Sequence, residues 1–188
     1  ESLMKSSLFG LARRYLMGWM MAICGVAFSA HGQVPFKLKD GDRVLFIGDT
    51  FFEREVDYGH IETRLTAAFP DRNITFRNLG WAGDTPMGKA RASFDWNKSD
   101  EDWLKRVNEQ VALVKPTVAF LSYGMTAALE AAEAKTPAEQ DAVIAKFKAD
   151  LVRLMRAIDE VSGQKVRFVL VDTVDPFVPT ASLDRLSP

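Results

Sequence analysis

The chain has 188 residues, with 24 Lys and Arg against 25 Asp and Glu, two histidines and one cysteine, for a net charge of −1. That balance excludes the basic surface that nucleic acid or an anionic membrane would call for, and a single cysteine excludes a disulfide framework within the chain. The length suits one ordinary domain with a core of its own.

The first 32 residues read as a separate segment. Lys5 and Arg13-Arg14 form a basic start, Tyr15 to Phe28 is almost wholly apolar, and the small residues Ser29, Ala30 and Gly32 follow. This is the three-part pattern of a secretory signal peptide. A short membrane anchor is the alternative, since the apolar run is near the lower limit for spanning a bilayer. The expectation is a signal peptide over 1–32 and one domain over 33–188, exported to the periplasm or beyond, with no stable membrane association after cleavage. Glu1 to Leu3 precede Met4, as in a translation that runs past its true start. Cleavage near Ala30 or Gly32 would remove Cys24, the only cysteine, and leave 21 basic and 24 acidic residues.

Val44 to Ile47 predicts a short buried strand, and Phe51 to Phe69 one helix, with Ile61, Leu65 and Phe69 at fourfold spacing and Pro70-Asp71 as its stop. Ile74 to Leu79 alternates as a second strand. Gly80 to Asp100 reads as a long loop holding one short helix, which Thr85-Pro86 would start. Glu101 to Val114 predicts a helix with Trp103, Val107, Val111 and Val114 on one face. Thr117 to Ser122 is an apolar run of the kind buried on both sheet faces. Thr136-Pro137-Ala138-Glu139 announces the longest helix with a capping box. Its stripe is Val143, Phe147, Leu151, Leu154, Met155 and Ile158, and Gly163 ends it. Val166 to Val171 predicts a fourth buried strand. Strands alternating with helices at this spacing imply an α/β fold, a parallel sheet with right-handed crossovers and helices on both faces.

Each of the first three strands ends in a glycine-bearing turn: Gly48-Asp49-Thr50, Gly80-Trp81-Ala82-Gly83-Asp84, and Gly124-Met125-Thr126. In a parallel sheet these turns open on one edge, where glycines let backbone N–H groups approach a ligand or a developing oxyanion. Thr50 stands where a nucleophilic hydroxyl would be needed. Thr50-Phe51-Phe52-Glu53 equally fits a capping box, with the Thr oxygen taking a free helix N–H. Glu53, Glu55 and Asp57 lack neighbouring histidines and read as a solvated helix start, so no metal and no cofactor is expected. Trp81 and Trp96 would either stack on a sugar ring or close the core. Gly48-Asp49-Thr50 lacks the repeated glycines of a dinucleotide site.

From Arg43 to Asp175 these motifs resemble the SGNH, or GDSL-type, esterase and acylhydrolase family. Gly48-Asp49-Thr50 sits where that family has Gly-Asp-Ser, whose Ser is the nucleophile. Gly83, in NLGWAGDT, matches the glycine whose N–H helps form the oxyanion hole, and Gly124-Met125-Thr126-Ala127 matches Gly-x-Asn-Asp, whose Asn is a further oxyanion donor. The run from Tyr58 to Thr85 looks most like GDSL-type proteins of planctomycete and verrucomicrobial bacteria. The resemblance implies a three-layer, flavodoxin-like doubly wound sheet. It also implies Thr50 as nucleophile, with Asp49 beside it, Gly83 as oxyanion donor and Thr126 at the oxyanion Asn position. The implied substrate is a small ester or an acylated carbohydrate.

The departures are specific. Thr50 keeps a hydroxyl but adds a methyl group that stiffens χ1, and Thr126 and Ala127 replace the Asn and Asp. The family's base segment, Asp-x-x-His, does not follow the fourth strand, and the expectation is a chain that stops short of it and of a fifth strand. Once the signal is removed the only histidine is His60, ten residues along a continuous helix from Thr50, or about 15 Å at the helical rise, too far for a general base. The alternative expectation is a catalytically inactive domain of the same fold that binds a glycan or a partner protein.

Overall fold

The computed structural model describes residues 36–92 and 99–172. The expected signal segment and Trp96 lie outside the described residues. Strand β1 (Arg43–Gly48) is followed by helices α1 (Thr50–Tyr58) and α2 (His60–Ala68), then β2 (Thr75–Asn78) and a 3-10 turn at Lys89–Ala92. Helix α3 (Asp100–Val114), β3 (Val118–Ser122), α4 (Met125–Glu133), α5 (Pro137–Ser162) and β4 (Arg167–Leu170) complete the order. The four strands are parallel in the order β2-β1-β3-β4. This is the strand order of doubly wound, flavodoxin-like sheets, as expected, and it places the reversal of winding between β1 and β3.

Strand alternation divides the core into two layers. Leu45 and Ile47 of β1, with Ala119 and Leu121 of β3, face one side, where Val107 and Val111 of α3 and Leu154 and Ile158 of α5 cover them. Val44, Phe46, Val118 and Phe120 face the other side, covered by Phe52 of α1 and by Ile61, Leu65 and Phe69. The central strands are apolar from Val44 to Ile47 and from Val118 to Leu121 because both faces are buried there. Phe46 stacks on Phe52 with ring centroids 5.1 Å apart, which seats the first turn of α1 on the sheet.

Several expectations are corrected. The helix expected over Phe51 to Phe69 is two helices, because Gly59 adopts a left-handed conformation (φ 63°) and its N–H closes on Glu55 O. The Glu55 carboxylate then accepts the Ile61 N–H, capping α2 from outside. The short helix is a 3-10 turn beginning at Lys89 rather than at Thr85-Pro86, although the Thr85 hydroxyl still accepts the Lys89 N–H (3.4 Å). Helix α3 starts one residue earlier than expected, where Ser99 and Asp102 form a reciprocal capping box. Helix α4 was not expected at all. It is rich in Ala and follows Gly124, which has no side chain to cap it, so it lacks the usual local start signal. Strand β4 is only partly buried, with Leu170 62 % exposed, so it is not the fully buried strand its composition predicts. The cap of α5 is as expected, with Thr136 accepting from Glu139 N, while Glu139 reaches past Thr136 to accept the Lys135 N–H. Among the described residues no helix is long and apolar enough to cross a membrane.

Candidate functional site

The carboxyl ends of β1 and β3 lie side by side where the winding reverses, and at such a point a crevice opens because successive crossovers leave to opposite faces. Gly48 makes the close approach feasible: a Cβ there would lie 2.2 Å from Ser122 O. The Asp49 N–H then donates to Ser122 O (2.9 Å), locking the two strand ends together.

Asp49, fully buried, is the N-cap of α1. Its Oδ1 accepts from Phe51 N (3.3 Å) and its Oδ2 from Met125 N (3.4 Å), so one carboxylate joins the starts of α1 and α4. Burial pushes its pKa above the ordinary carboxylate value, a rise that the N–H groups of Phe51, Met125 and Gly124 oppose. The capping role expected for Thr50 therefore belongs to Asp49. Thr50 is the first helical residue, with its hydroxyl left for other partners.

The partner it finds is the second turn. Gly83 N donates to Thr50 Oγ1 (3.2 Å), and Thr126 Oγ1 donates to Gly83 O (3.3 Å). The structure thus brings Asp49, Thr50, Gly83 and Thr126 together. Gly83 has φ 67°, a left-handed conformation that a β-carbon would strain. Thr126 is engaged with a carbonyl and presents no long amide donor. The Thr50 N–H, in the first turn of α1, has no acceptor within its helix and is a second donor beside the hydroxyl.

The turn carrying Gly83 is fastened at several points that sequence reasoning missed. Trp81 N donates to Gly48 O (3.0 Å). Asn78 Nδ2 donates to Phe52 O (2.7 Å) while its Oδ1 accepts from Gly80 N (2.8 Å). The second of these bonds is a local Asx contact, legible in Asn78-Leu79-Gly80 as a strand end followed by a turn. Gly80 packs on the backbone of α1, where a Cβ would lie 2.4 Å from Phe52 C and Glu53 N. Beyond the turn, the buried Asp84 pairs with Arg91 (2.7 Å), a contact seven residues apart with no sequence signature. Trp81 is 47 % exposed and does not close the core.

Asp57-Tyr58-Gly59-His60 carries Asp-x-x-His spacing, but in the wrong place. His60 is exposed, stacked on Tyr58 (5.7 Å between centroids) just past the end of α1, while Thr50 begins that nine-residue helix. Among the described residues, no histidine stands beside Thr50. Tyr123, buried just past the end of β3, is held well above the ordinary phenol range by burial and by the neighbouring Asp84, so it stays neutral and is no base. A cavity of about 90 Å3 lies between Thr85 and Met87, Thr126 and Ala127 of α4, and Val143 and Phe147 of α5. Thr126 forms part of its wall, whereas Asp49, Thr50 and Gly83 do not line it. Among the described residues no group of three or more His, Cys, Asp or Glu is arranged to hold a metal.

No family model matches the chain, and no curated protein matches it. Solved structures do. A gut microbial diltiazem-metabolizing enzyme is 20% identical with a TM-score of 0.53, over 71% of this chain and 27% of that one. Axe2, an acetylxylan esterase from Geobacillus stearothermophilus, is 20% identical with a TM-score of 0.49, over 72% of this chain and 61% of that one. The chain thus spans about a quarter of the first protein's length and three fifths of the second's. The first similarity is one of fold.

Proposed function

We infer that this chain is an SGNH-type hydrolase acting on ester bonds, with Thr50 in the nucleophile position and acyl or acetyl esters, including those on carbohydrate, as its substrate class. The observation that carries this reading is the 3.2 Å hydrogen bond from Gly83 N–H to Thr50 Oγ1 at the switch point between β1 and β3. When Oγ1 attacks an ester carbonyl carbon, the carbonyl oxygen becomes an oxyanion two bonds away from Oγ1. A backbone donor already aimed at the hydroxyl, together with the Thr50 N–H, is suitably placed to stabilise that charge. Collapse of the adduct expels the alcohol and leaves an acyl group on Thr50 for water to remove. Both steps require a base to take the proton from Thr50 and then from water, and that base would come from outside the described residues. The exposed Trp81, two residues before Gly83, supports a sugar-bearing substrate, because a solvent-exposed indole can stack on a sugar ring.

Two observations favour a second reading, a non-catalytic domain that binds a glycan or partner protein in the same crevice. Thr126 bonds the Gly83 carbonyl instead of offering a donor, and the histidine of α2 stands away from Thr50. The discriminating experiment is hydrolysis of p-nitrophenyl acetate by the full-length protein with Thr, Ser or Ala at position 50. The enzyme reading expects Ser to raise turnover by relieving methyl crowding and Ala to abolish it. Equal rates in all three forms would overturn it and leave the binding domain.

A further inference from the structure

The turn that presents Gly83 is held at both ends by one side chain. Arg91 Nη2 donates to Leu79 O at the start of the turn, and Arg91 Nε donates to Asp84 Oδ2 (2.7 Å) at its end. The remaining arm, Nη1, donates to Gln110 Oε1 on α3 (3.2 Å). Asp84 is 1% exposed, and its other oxygen accepts the Ala90 N–H (3.3 Å), so the carboxylate is fixed before it meets the guanidinium. Between these two clamped points lie Gly80, Trp81, Ala82 and Gly83, of which the last three are exposed; Gly80 and Trp81 are tied back to Asn78 and Gly48, whereas Gly83 meets only the Thr50 and Thr126 hydroxyls. Two glycines in four residues make such a segment intrinsically loose.

We propose that Arg91 is a positioning residue that, by bridging Leu79 and Asp84 across the turn, presets the Gly83 N–H toward Thr50. This rests on the assignment of Gly83 as oxyanion donor made above. The planar guanidinium suits the task because its donors leave in fixed, divergent directions and bond three acceptors at once, whereas a lysine ammonium at the end of a flexible stem cannot span the same points. Electrostatic stabilisation of an oxyanion depends on donors that need no reorganisation when charge develops, so loosening the turn should slow the chemical step more than it weakens ground-state binding.

The test is backbone 15N relaxation of Gly83 in the full chain, wild type and Arg91→Lys, with β1 amides as internal reference. The expected result is a Gly83 order parameter near the rigid value of about 0.85 in the wild type, falling below about 0.6 in the variant while β1 is unchanged. A wild-type value already in the flexible range, or an unchanged value in folded Arg91→Lys, would overturn the proposal. If Arg91→Lys does not fold, Asp84→Asn, which keeps the shape but removes the charge at Nε, takes its place; failure of both to fold would show a global rather than local role and also overturn it. In ester assays Arg91→Lys should lose about tenfold in kcat with KM held within about twofold. Absence of Thr50-dependent turnover in the wild type would sink the esterase assignment alone, since the relaxation measurement still decides whether Arg91 holds the turn.

Discussion

Gly83 N–H points at Thr50 Oγ1 across 3.2 Å, although the two residues are 33 positions apart and sit on turns that follow different strands. This contact exists because Asp49 has taken over the helix cap, leaving the Thr50 hydroxyl uncommitted.

The division of labour between Asp49 and Thr50 predicts an order of stabilities. Asp49→Ala loses the α1 cap and the bond to Met125 N, and should cost about 1–2 kcal/mol. Thr50→Ala loses only the contact with Gly83 and should cost under about 1 kcal/mol. Urea denaturation of both variants checks this, and a larger loss for Thr50→Ala would return the cap to Thr50.

Gly80 and Gly83 should respond differently to alanine. At Gly80 the new methyl would collide with the backbone of α1, which cannot yield locally, so Gly80→Ala should cost about 2 kcal/mol or more and displace the turn. At Gly83 an added β-carbon would meet nothing within 4 Å and only the positive φ resists, so Gly83→Ala should cost about 1 kcal/mol. Thermal melts of the pair would show whether the turn leans on α1 as described.

Asp42 should contribute acid-sensitive stability. It is buried, and burial would raise its pKa, but together the Arg167 guanidinium, the Lys39 N–H and the Thr117 hydroxyl outweigh burial and hold it below its ordinary 3.8. The folded state therefore releases this proton more readily than the unfolded chain. Its stabilisation is complete above the unfolded pKa, about 4, and is lost as pH falls through the lower folded value. Asp49, whose pKa is raised, acts in the opposite sense: its burial favours the folded state below the unfolded pKa, and that contribution is lost as pH rises through the folded one. The measurement is the difference in melting temperature between wild type and Asp42→Asn, which should narrow on acidification from about pH 5 to about pH 3. A constant difference would refute the linkage.

Export remains a matter for the chain's first 32 residues. Secreted material should begin between Ala30 and Val34 and contain no cysteine, which N-terminal sequencing and thiol titration would check. Recovery of an uncleaved N-terminus in the membrane fraction would support an anchor instead.

Apolar runs and alternation located the four strands of the described residues, and the helical stripe located α3 and α5, because burial on two sheet faces makes a continuous apolar run and burial on one face imposes a repeat. Glycine turns after β1, β2 and β3 marked the sheet edge that carries the candidate site, since a glycine after a strand is a local turn signal. Helix boundaries were legible where a cap or a proline is written in the chain, as at Thr136, Gly163 and Val114 before Pro116; the break at Gly59 was not, since one glycine in a helical pattern does not announce a left-handed residue.

What the sequence by itself determined was the layering of the fold and the residue types available at the crevice. Tertiary structure alone decided which oxygen caps α1, which partner Thr50 keeps, and how Asn78 and Arg91 fasten the Gly83 turn. Those outcomes depend on close approach between segments far apart in the chain: Gly48 against Ser122, Gly80 against Phe52, and Asp49 against Met125. Local propensity carries no record of such meetings, because each partner's preference is met equally well by other neighbours until the sheet brings the particular pair within hydrogen-bond distance.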